Sequence, residues 1–257
     1  MRGTRAAKGA MVGLAAAVIA ACGSVHAGDL RQQAAAVKKR APAPSPTPTP
    51  PPQRTMDCAH LNCVALTFDD GPGPYTAHLL DVLKAAGARA TFFMLGENVG
   101  EYKADVRRMA LEGHQLGNHT WSHPELPSLS TDAVRSQVRR TQKAIYDASG
   151  GVTPTLFRPP YGATNARVGK AVGMPEIVWD VDSMDWRYPN VARNVRVGTR
   201  EPKKGSIVLF HDIHKTTVDA IPRVLAGLQK RGFTFVTVGE LTENQSLAAG
   251  RTFPNWS

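Results

Sequence analysis

An α/β fold whose parallel strands close into a barrel is what this 257-residue sequence predicts, and three observations predict it. From Cys63 onward, apolar β-branched or aromatic runs alternate with amphipathic stretches, the pattern of repeated β/α units. Seven such runs with helices between them suit a closed sheet better than an open one. The first run ends in adjacent carboxylates, Asp69 and Asp70, at the C-terminal edge of a strand, where α/β folds keep their chemistry.

Residues 1–21 read as an export signal. Arg2, Arg5 and Lys8 precede an alanine-rich apolar run too short for the roughly 20 residues that span a bilayer. Ile19-Ala20-Ala21-Cys22 resembles a bacterial lipobox, which makes Cys22 the expected lipidation site. Ordinary cleavage near residue 27, after Val25-His26-Ala27, is the rival. Arg2 and Arg5 are not adjacent, which argues against a twin-arginine signal. Residues 22–56 form a proline-rich linker, expected to be disordered, with seven prolines between positions 41 and 52; such a segment extends about 3 Å per residue. Cys58 and Cys63 are expected to form a disulfide outside the reducing cytosol, leaving Cys22 as the odd cysteine. Free buried thiols or half a metal site are the alternatives, although no second cysteine pair exists to complete a zinc cluster. The net charge of +10 is concentrated early: eight basic side chains and one acidic one lie ahead of residue 57. The weakly basic remainder gives nucleic-acid binding no support.

Residues 57–245 carry the fold, and residues 246–257 read as a tail. Strands are predicted at 64–68, 90–95, 114–118, 156–158, 177–181, 207–211 and 234–238, with helices at 76–86, 103–112, 131–148, 167–172 and 219–231. The first strand stops because Gly71, Pro72, Gly73 and Pro74 cannot continue it. The helix at 131–148 is the clearest: Val134, Val138, Thr141, Ile145 and Ala148 share one face and Ser130 can cap it. Arg135, Arg139, Arg140 and Lys143 make its solvated face. In the last helix, Asp219 as cap would put Pro222 in the first turn, and Gly232 ends it.

At a strand-to-turn junction two neighbouring carboxylates can face one cleft, one binding a cation while the other handles protons. Asp-Asp-Gly-Pro alone suits a helix cap beside a solvated aspartate equally well. His119 and His123, at i and i+4, share a face if their segment turns helically. With Asp70 they make a His-His-Asp set that zinc accepts, leaving a position for water whose pKa falls toward about 7. His-x-x-x-His alone is a weak signal. His114 reads as a structural strand residue.

Thr67-Phe68-Asp69-Asp70-Gly71-Pro72 followed by His119-Thr120-Trp121-Ser122-His123 resembles the polysaccharide deacetylase family, the NodB-homology domain of carbohydrate esterase family 4. Arg158-Pro159-Pro160-Tyr161-Gly162, Asp182-Ser183-Met184-Asp185-Trp186 and Leu209-Phe210-His211-Asp212 follow in the family's order. The resemblance covers residues 58–241. It implies a distorted (β/α) barrel of about seven parallel strands and metal-dependent removal of acetyl groups from acetylated sugars. It further implies Asp70, His119 and His123 as metal ligands, Asp69 as general base, and His211 as the acid that protonates the departing amine. Arg158 would orient Asp69 and Asp185 would orient His211. Tyr161 would offer its backbone N–H to the oxyanion, and Trp186 and Leu209 would wall the acetyl pocket.

Amide hydrolysis needs an activated water, oxyanion stabilisation and an acid for the nitrogen, and this set supplies all three. A charged Arg158 is expected to keep the pKa of Asp69 low, and a carboxylate beside His211 favours imidazolium. No serine sits in a Gly-x-Ser-x-Gly context. The expected enzyme is a monomer that removes N-acetyl groups from N-acetylglucosamine-type polysaccharide, peptidoglycan or chitin-like oligomers. Its cofactor would be Zn2+ or a similar ion such as Co2+, and Cys22 lipidation would hold it at the outer face of the cytoplasmic membrane. An O-acetyl esterase acting on xylan, or a non-catalytic glycan-binding wall lipoprotein, are the alternatives.

Overall fold

The computed structural model describes residues 49–52, 54–243, 245 and 247–254. The export signal, Cys22 and most of the linker lie outside the described residues. The strands are β1 (Cys63–Asp69), β2 (Thr91–Met94), β3 (Gln115–Asn118), β4 (Glu176–Ile177), β5 (Val181–Asp182), β6 (Ile207–His211), β7 (Thr234–Val236) and β8 (Thr252–Phe253). The helices are α1 (Thr76–Ala85), α2 (Gly96–Val99), α3 (Lys103–Leu111), α4 (Thr131–Ser149), α5 (Ala166–Val172), α6 (Val191–Arg200), α7 (Lys215–Val218), α8 (Ile221–Lys230) and α9 (Val238–Leu241).

All strand pairs are parallel, in the order β3-β2-β1-β6-β5, with β7 also on β1. β1 is buried along its whole length, as a strand covered on both faces must be, which is why it reads as a continuous apolar run. Its upper half pairs with β2 and its lower half with β7, while β6 lies along the other edge and sets Asp69 opposite His211. Beyond β3, Phe157 bridges Asn118 to Glu176, and β4 pairs with β8. Residues 176–182 close the ring. At their start Ile177 N donates to Phe157 O (2.7 Å) and Val178 N to Phe253 O (2.8 Å); at their end Val181 and Asp182 pair with Val208 and Leu209. The result is a distorted barrel.

The main core lies between sheet and helices. Phe68 stacks on Phe92 and Phe210 at 5.4 and 6.0 Å, and Leu79, Leu80 and Leu83 of α1 and Val224, Leu225 and Leu228 of α8 pack into the same cluster. Each such side chain contributes about 1.5–3 kcal/mol by leaving water. In α4 the Ser130 hydroxyl accepts from Ala133 N (3.2 Å), and Gly150 ends the helix at φ 79°. Val134, Val138, Thr141 and Ile145 are buried as their spacing predicts.

Several expectations need correction. The strand at 156–158 is only the Phe157 bridge, and the run at 177–181 divides between β4 and β5 because it serves both edges of the ring. Pro222 does sit in the first turn of α8, but Asp219 is not its cap: that carboxylate pairs with Lys215 at 2.7 Å and ends α7. α6 was not predicted. Its buried face is Asn194, Val197 and Gly198, and an added Cβ on Gly198 would lie 2.8 Å from Phe210. Val197 is the one large apolar side chain on that buried face, and the helix also carries Arg193, Arg196 and Arg200.

Described chain on both sides of residues 57–245 packs onto the fold. Arg54 forks onto Glu240 through Nε (2.8 Å) and Nη2 (3.0 Å), and Met56 N donates to Glu243 (3.2 Å), so the described end of the linker is packed chain. The expected tail contributes β8. Cys58 and Cys63 form the expected disulfide, Cα atoms 5.5 Å apart. Among the described residues no helix is long and apolar enough to cross a membrane.

Candidate active site

The C-terminal strand ends open on a cavity of about 440 Å³, lined by Asp69, Asp70, His119, His123 and His211 and walled by Tyr161, Trp179, Asp182, Trp186 and Leu209. β1 delivers Asp69 as its last residue. Asp70 then takes φ 69°, which turns a second carboxylate into the same space. The close fit of the next residue fixes that turn: a Cβ on Gly71 would lie 2.3 Å from the buried Asp212 carboxylate.

Asp70, His119 and His123 bring one donor atom each within 4.8 Å of one another. Asp70 Oδ1 is 3.5 Å from Nε2 of each histidine. A tetrahedral zinc ion with ligand bonds near 2.0–2.1 Å spaces its donors by about 3.4 Å. The same Oδ1 is buried and has no hydrogen-bond partner among the described residues, which leaves it open to a cation. His119 Nδ1–H donates to the Arg158 carbonyl (2.7 Å), leaving the Nε2 lone pair for the site. Burial pushes this imidazole down to about 3 although Asp70 pulls the other way, so it is neutral, the form that ligates. The histidines do not converge through a helical turn. Thr120 and His123 have φ 74° and 58°, and the two rings meet edge to face at 5.0 Å.

Two buried charge pairs flank this trio. Arg158 is fully buried. Its Nη1 donates to Asp69 Oδ1 and to Thr67 Oγ1, both at 2.7 Å, while Nε and Nη2 donate to the Ile177 and Val178 carbonyls at 3.1 Å. The guanidinium also lies 4.2 Å from the Phe93 ring centre. Arg158 does not hold the Asp69 carboxyl low as expected. Burial pushes Asp69 above the usual carboxylate range, and Arg158 and His211 offset this only in part. The second pair is His211 Nδ1 on Asp185 Oδ1 (2.7 Å), with His211 Nε2 4.0 Å from Asp70 Oδ2. Burial lowers His211, but the Asp185 hydrogen bond and charge, with Asp69 and Asp70 beyond, outweigh it and raise the imidazole to about 9. The site thus holds a buried carboxylate with raised proton affinity and an imidazolium, poised about one cavity.

Tyr161 has φ 60°, and its ring lies edge to face on His123 at 4.5 Å. Asp70, Thr120, His123, Tyr161 and Met184 are the non-glycine residues with positive φ among those described, and each belongs to a motif around the cavity. Such backbone is costly and collects at functional sites. Eight of the ten residues named from the sequence line this one cavity, and Arg158 and Asp185 contact two of those eight, Asp69 and His211. Cys22 lies outside the described residues, and His114 is structural, accepting from Ala90 N at 3.1 Å. Sequence reasoning missed Thr67, Trp179, Asp182 and Thr217. Thr67 was legible, since strand alternation puts it on the same side as Asp69; for Thr217 no pattern in the sequence pointed to it.

Residues 57–175 match the polysaccharide deacetylase family. The peptidoglycan-N-acetylglucosamine deacetylase PgdA of Listeria monocytogenes is 46% identical over 182 residues, which cover 69% of this chain and 38% of that protein. The peptidoglycan-N-acetylmuramic acid deacetylase PdaC of Bacillus subtilis is 41% identical over 181 residues, again 38% of its length and 70% of this chain. The chain therefore spans well under half of these relatives. Among solved structures, the T48 deacetylase with substrate superimposes with TM-score 0.76 at 42% identity, over 77% of this chain and 100% of the other.

Proposed function

Because the chain belongs to the polysaccharide deacetylase family, we propose that it hydrolyses N-acetyl groups on N-acetylglucosamine-type polysaccharide, with peptidoglycan as the first candidate. The observation that carries this reading is the buried, unpartnered Asp70 Oδ1 between two imidazole nitrogens, with a carboxylate and an imidazolium on either side. Asp70, His119 and His123 would hold a divalent metal, and two imidazoles with one carboxylate suit zinc. Bound there, the metal would supply Lewis acidity, lowering the pKa of water and polarising the acetyl carbonyl.

Asp69 takes a proton from water as the water oxygen attacks the acetyl carbon. Its raised proton affinity makes it a competent base, and Arg158 holds its Oδ1, leaving Oδ2 toward the cavity. The Tyr161 N–H stabilises the oxyanion. As the C–N bond breaks, His211 gives its Nε2 proton to the nitrogen, and Asp185 steadies the imidazolium beforehand. The products are a free amine on the sugar and acetate. Trp186 and Leu209 confine the methyl group. The domain works outside the cell, held by a lipid on Cys22; an unchanged membrane fraction for Cys22→Ser would refute the anchor.

The test is acetate release by the full chain from N-acetylglucosamine oligomers, peptidoglycan and acetylated xylan, after chelation and after zinc or cobalt is restored. Metal-dependent release from the first two that disappears in Asp69→Asn is the expected result. Release from xylan alone, or glycan binding with no release by a folded, metal-loaded protein, overturns it.

A further inference from the structure

Asp185 is fully buried, and its two oxygens are unequally held. Oδ1 faces His211 Nδ1 (2.7 Å) and accepts from Trp186 N (2.9 Å). Oδ2 accepts from His211 N (2.8 Å) and from the Thr217 hydroxyl (2.6 Å). Trp186 is the neighbouring residue and His211 is the group to be oriented. Thr217 is therefore the donor, among the described residues, that fixes the carboxylate against a separate element, α7. Its own placement is firm: the residue is fully buried, its N–H donates to His214 O (3.0 Å), and Asn194 Nδ2 of α6 reaches its Oγ1 at 3.4 Å. The hydroxyl has one proton, and the carboxylate, which lacks one, receives it.

We propose that Thr217 is a positioning residue for protonation of the leaving group, acting on His211 through Asp185. Without the hydroxyl, Oδ2 keeps only the His211 peptide N–H, and the carboxylate gains freedom to rotate about its Cβ–Cγ bond. The imidazole plane follows Oδ1, and with it the direction in which Nε2 presents its proton. Proton donors work within about 0.5 Å and 10–20° of the productive geometry, so a small rotation lowers turnover without touching substrate binding. The inference rests on the proposed amide hydrolysis and predicts which half of that reaction suffers.

Thr217→Val keeps the shape and removes the hydroxyl. Two substrates separate its effects: an N-acetylglucosamine oligomer, whose amine leaves only when protonated, and p-nitrophenyl acetate, whose phenolate leaves unaided. In the zinc-loaded full chain, kcat on the oligomer falls about tenfold, the worth of one hydrogen bond to a charged group, with KM unchanged. Turnover of the aryl ester stays within about twofold, because water activation is intact. Thr217→Ser restores the oligomer rate, and Thr217→Cys, a weak donor of similar shape, makes the same comparison if the valine variant does not fold. Equal losses on both substrates, or no loss on the oligomer, overturn the role of Thr217. A wild-type protein that turns over only the aryl ester overturns the deacetylase reading itself.

Discussion

Replacing Arg158 by Met tests whether Asp69 is held by charge or merely by packing. The side chain is 0% exposed, stacked on Phe93, and its departure leaves the Asp69 carboxylate and the Ile177 and Val178 carbonyls without their donor. Removing one member of a buried ion pair costs about 3–5 kcal/mol, because the survivor is left desolvated and unpaired. Asp69→Asn alone leaves the mirror-image defect, a buried guanidinium without its carboxylate. The double variant carries neither charge, so its loss falls short of the sum by about 2–4 kcal/mol. Urea unfolding of the four proteins at neutral pH measures that coupling, and thermal melts follow it at about 2–4 °C per kcal/mol for a chain of this size. Losses that add to within about 0.5 kcal/mol would refute the ion-pair account and leave Arg158 as a packing residue. Activity adds a second reading. In Arg158→Met burial acts on Asp69 with less opposition, so the acid limb of the pH–rate profile moves up; a limb that stays put contradicts the electrostatic role.

Four other outcomes are expected. The wild-type rate falls as pH rises through about 9, where His211 loses its proton, and Asp185→Asn moves that limb down, because the partner that raises the imidazole is neutralised; kcat measured across pH at saturating metal checks both. The same raised pKa contributes folding stability that is complete below the unfolded value of 6.5 and is lost as pH climbs through about 9. Zinc added to chelated protein at a hundred times its dissociation constant raises stability by about 2.7 kcal/mol; the melting shift is abolished in His119→Ala, and an equal shift in that variant would place the ion elsewhere. Arg54→Ala loses the fork onto the buried Glu240 carboxylate, costing about 1–2 kcal/mol given the one-third exposure of the arginine. Its kcat on N-acetylglucosamine oligomers should match wild type, since Arg54 also bonds Phe235 of β7, beside the start of β1, far from Asp69.

The site was more legible in the sequence than the fold that carries it. Asp69, Asp70, His119, His123, Arg158, Asp185 and His211 each stand in a short motif, and chemistry restricts the residue types that serve. The elements between motifs answer to weaker signals. β1 was readable because it is buried on both faces, and α4 because it has a full apolar stripe and a serine cap. α6 hid behind arginines, with Gly198 making its closest approach to the core. The runs at 156–158 and 177–181 were read as whole strands where the structure has a bridge and two short strands, because a stretch that joins two edges of a ring has partners far away in sequence and no period of its own. The packing of Arg54 and the pairing of β8 with β4 were invisible for the same reason: proline-rich and polar ends look unattached until the surface they meet is known. Asp69 shows the limit for charge. A neighbouring arginine could be inferred, but the depth of burial that outweighs it could not.

The left-handed residues around the cavity make part of the site a liability to the fold. Asp70 and His123 would each relax if replaced by glycine, with strain of order 1–3 kcal/mol per residue to recover, and at Asp70 a crowded negative charge would vanish too. With chelator present, so that no bound ion adds stability, a library of variants selected only for heat resistance should therefore accumulate substitutions at these two positions and lose the Asp70–His119–His123 donor set while keeping its barrel. Thr120, Tyr161 and Met184 share the backbone geometry without donating an atom to the metal trio. Glycine or asparagine there measures what the unusual backbone costs separately from what the ligands do, and shows how much resilience a lineage under thermal selection could gain before it had to surrender catalysis.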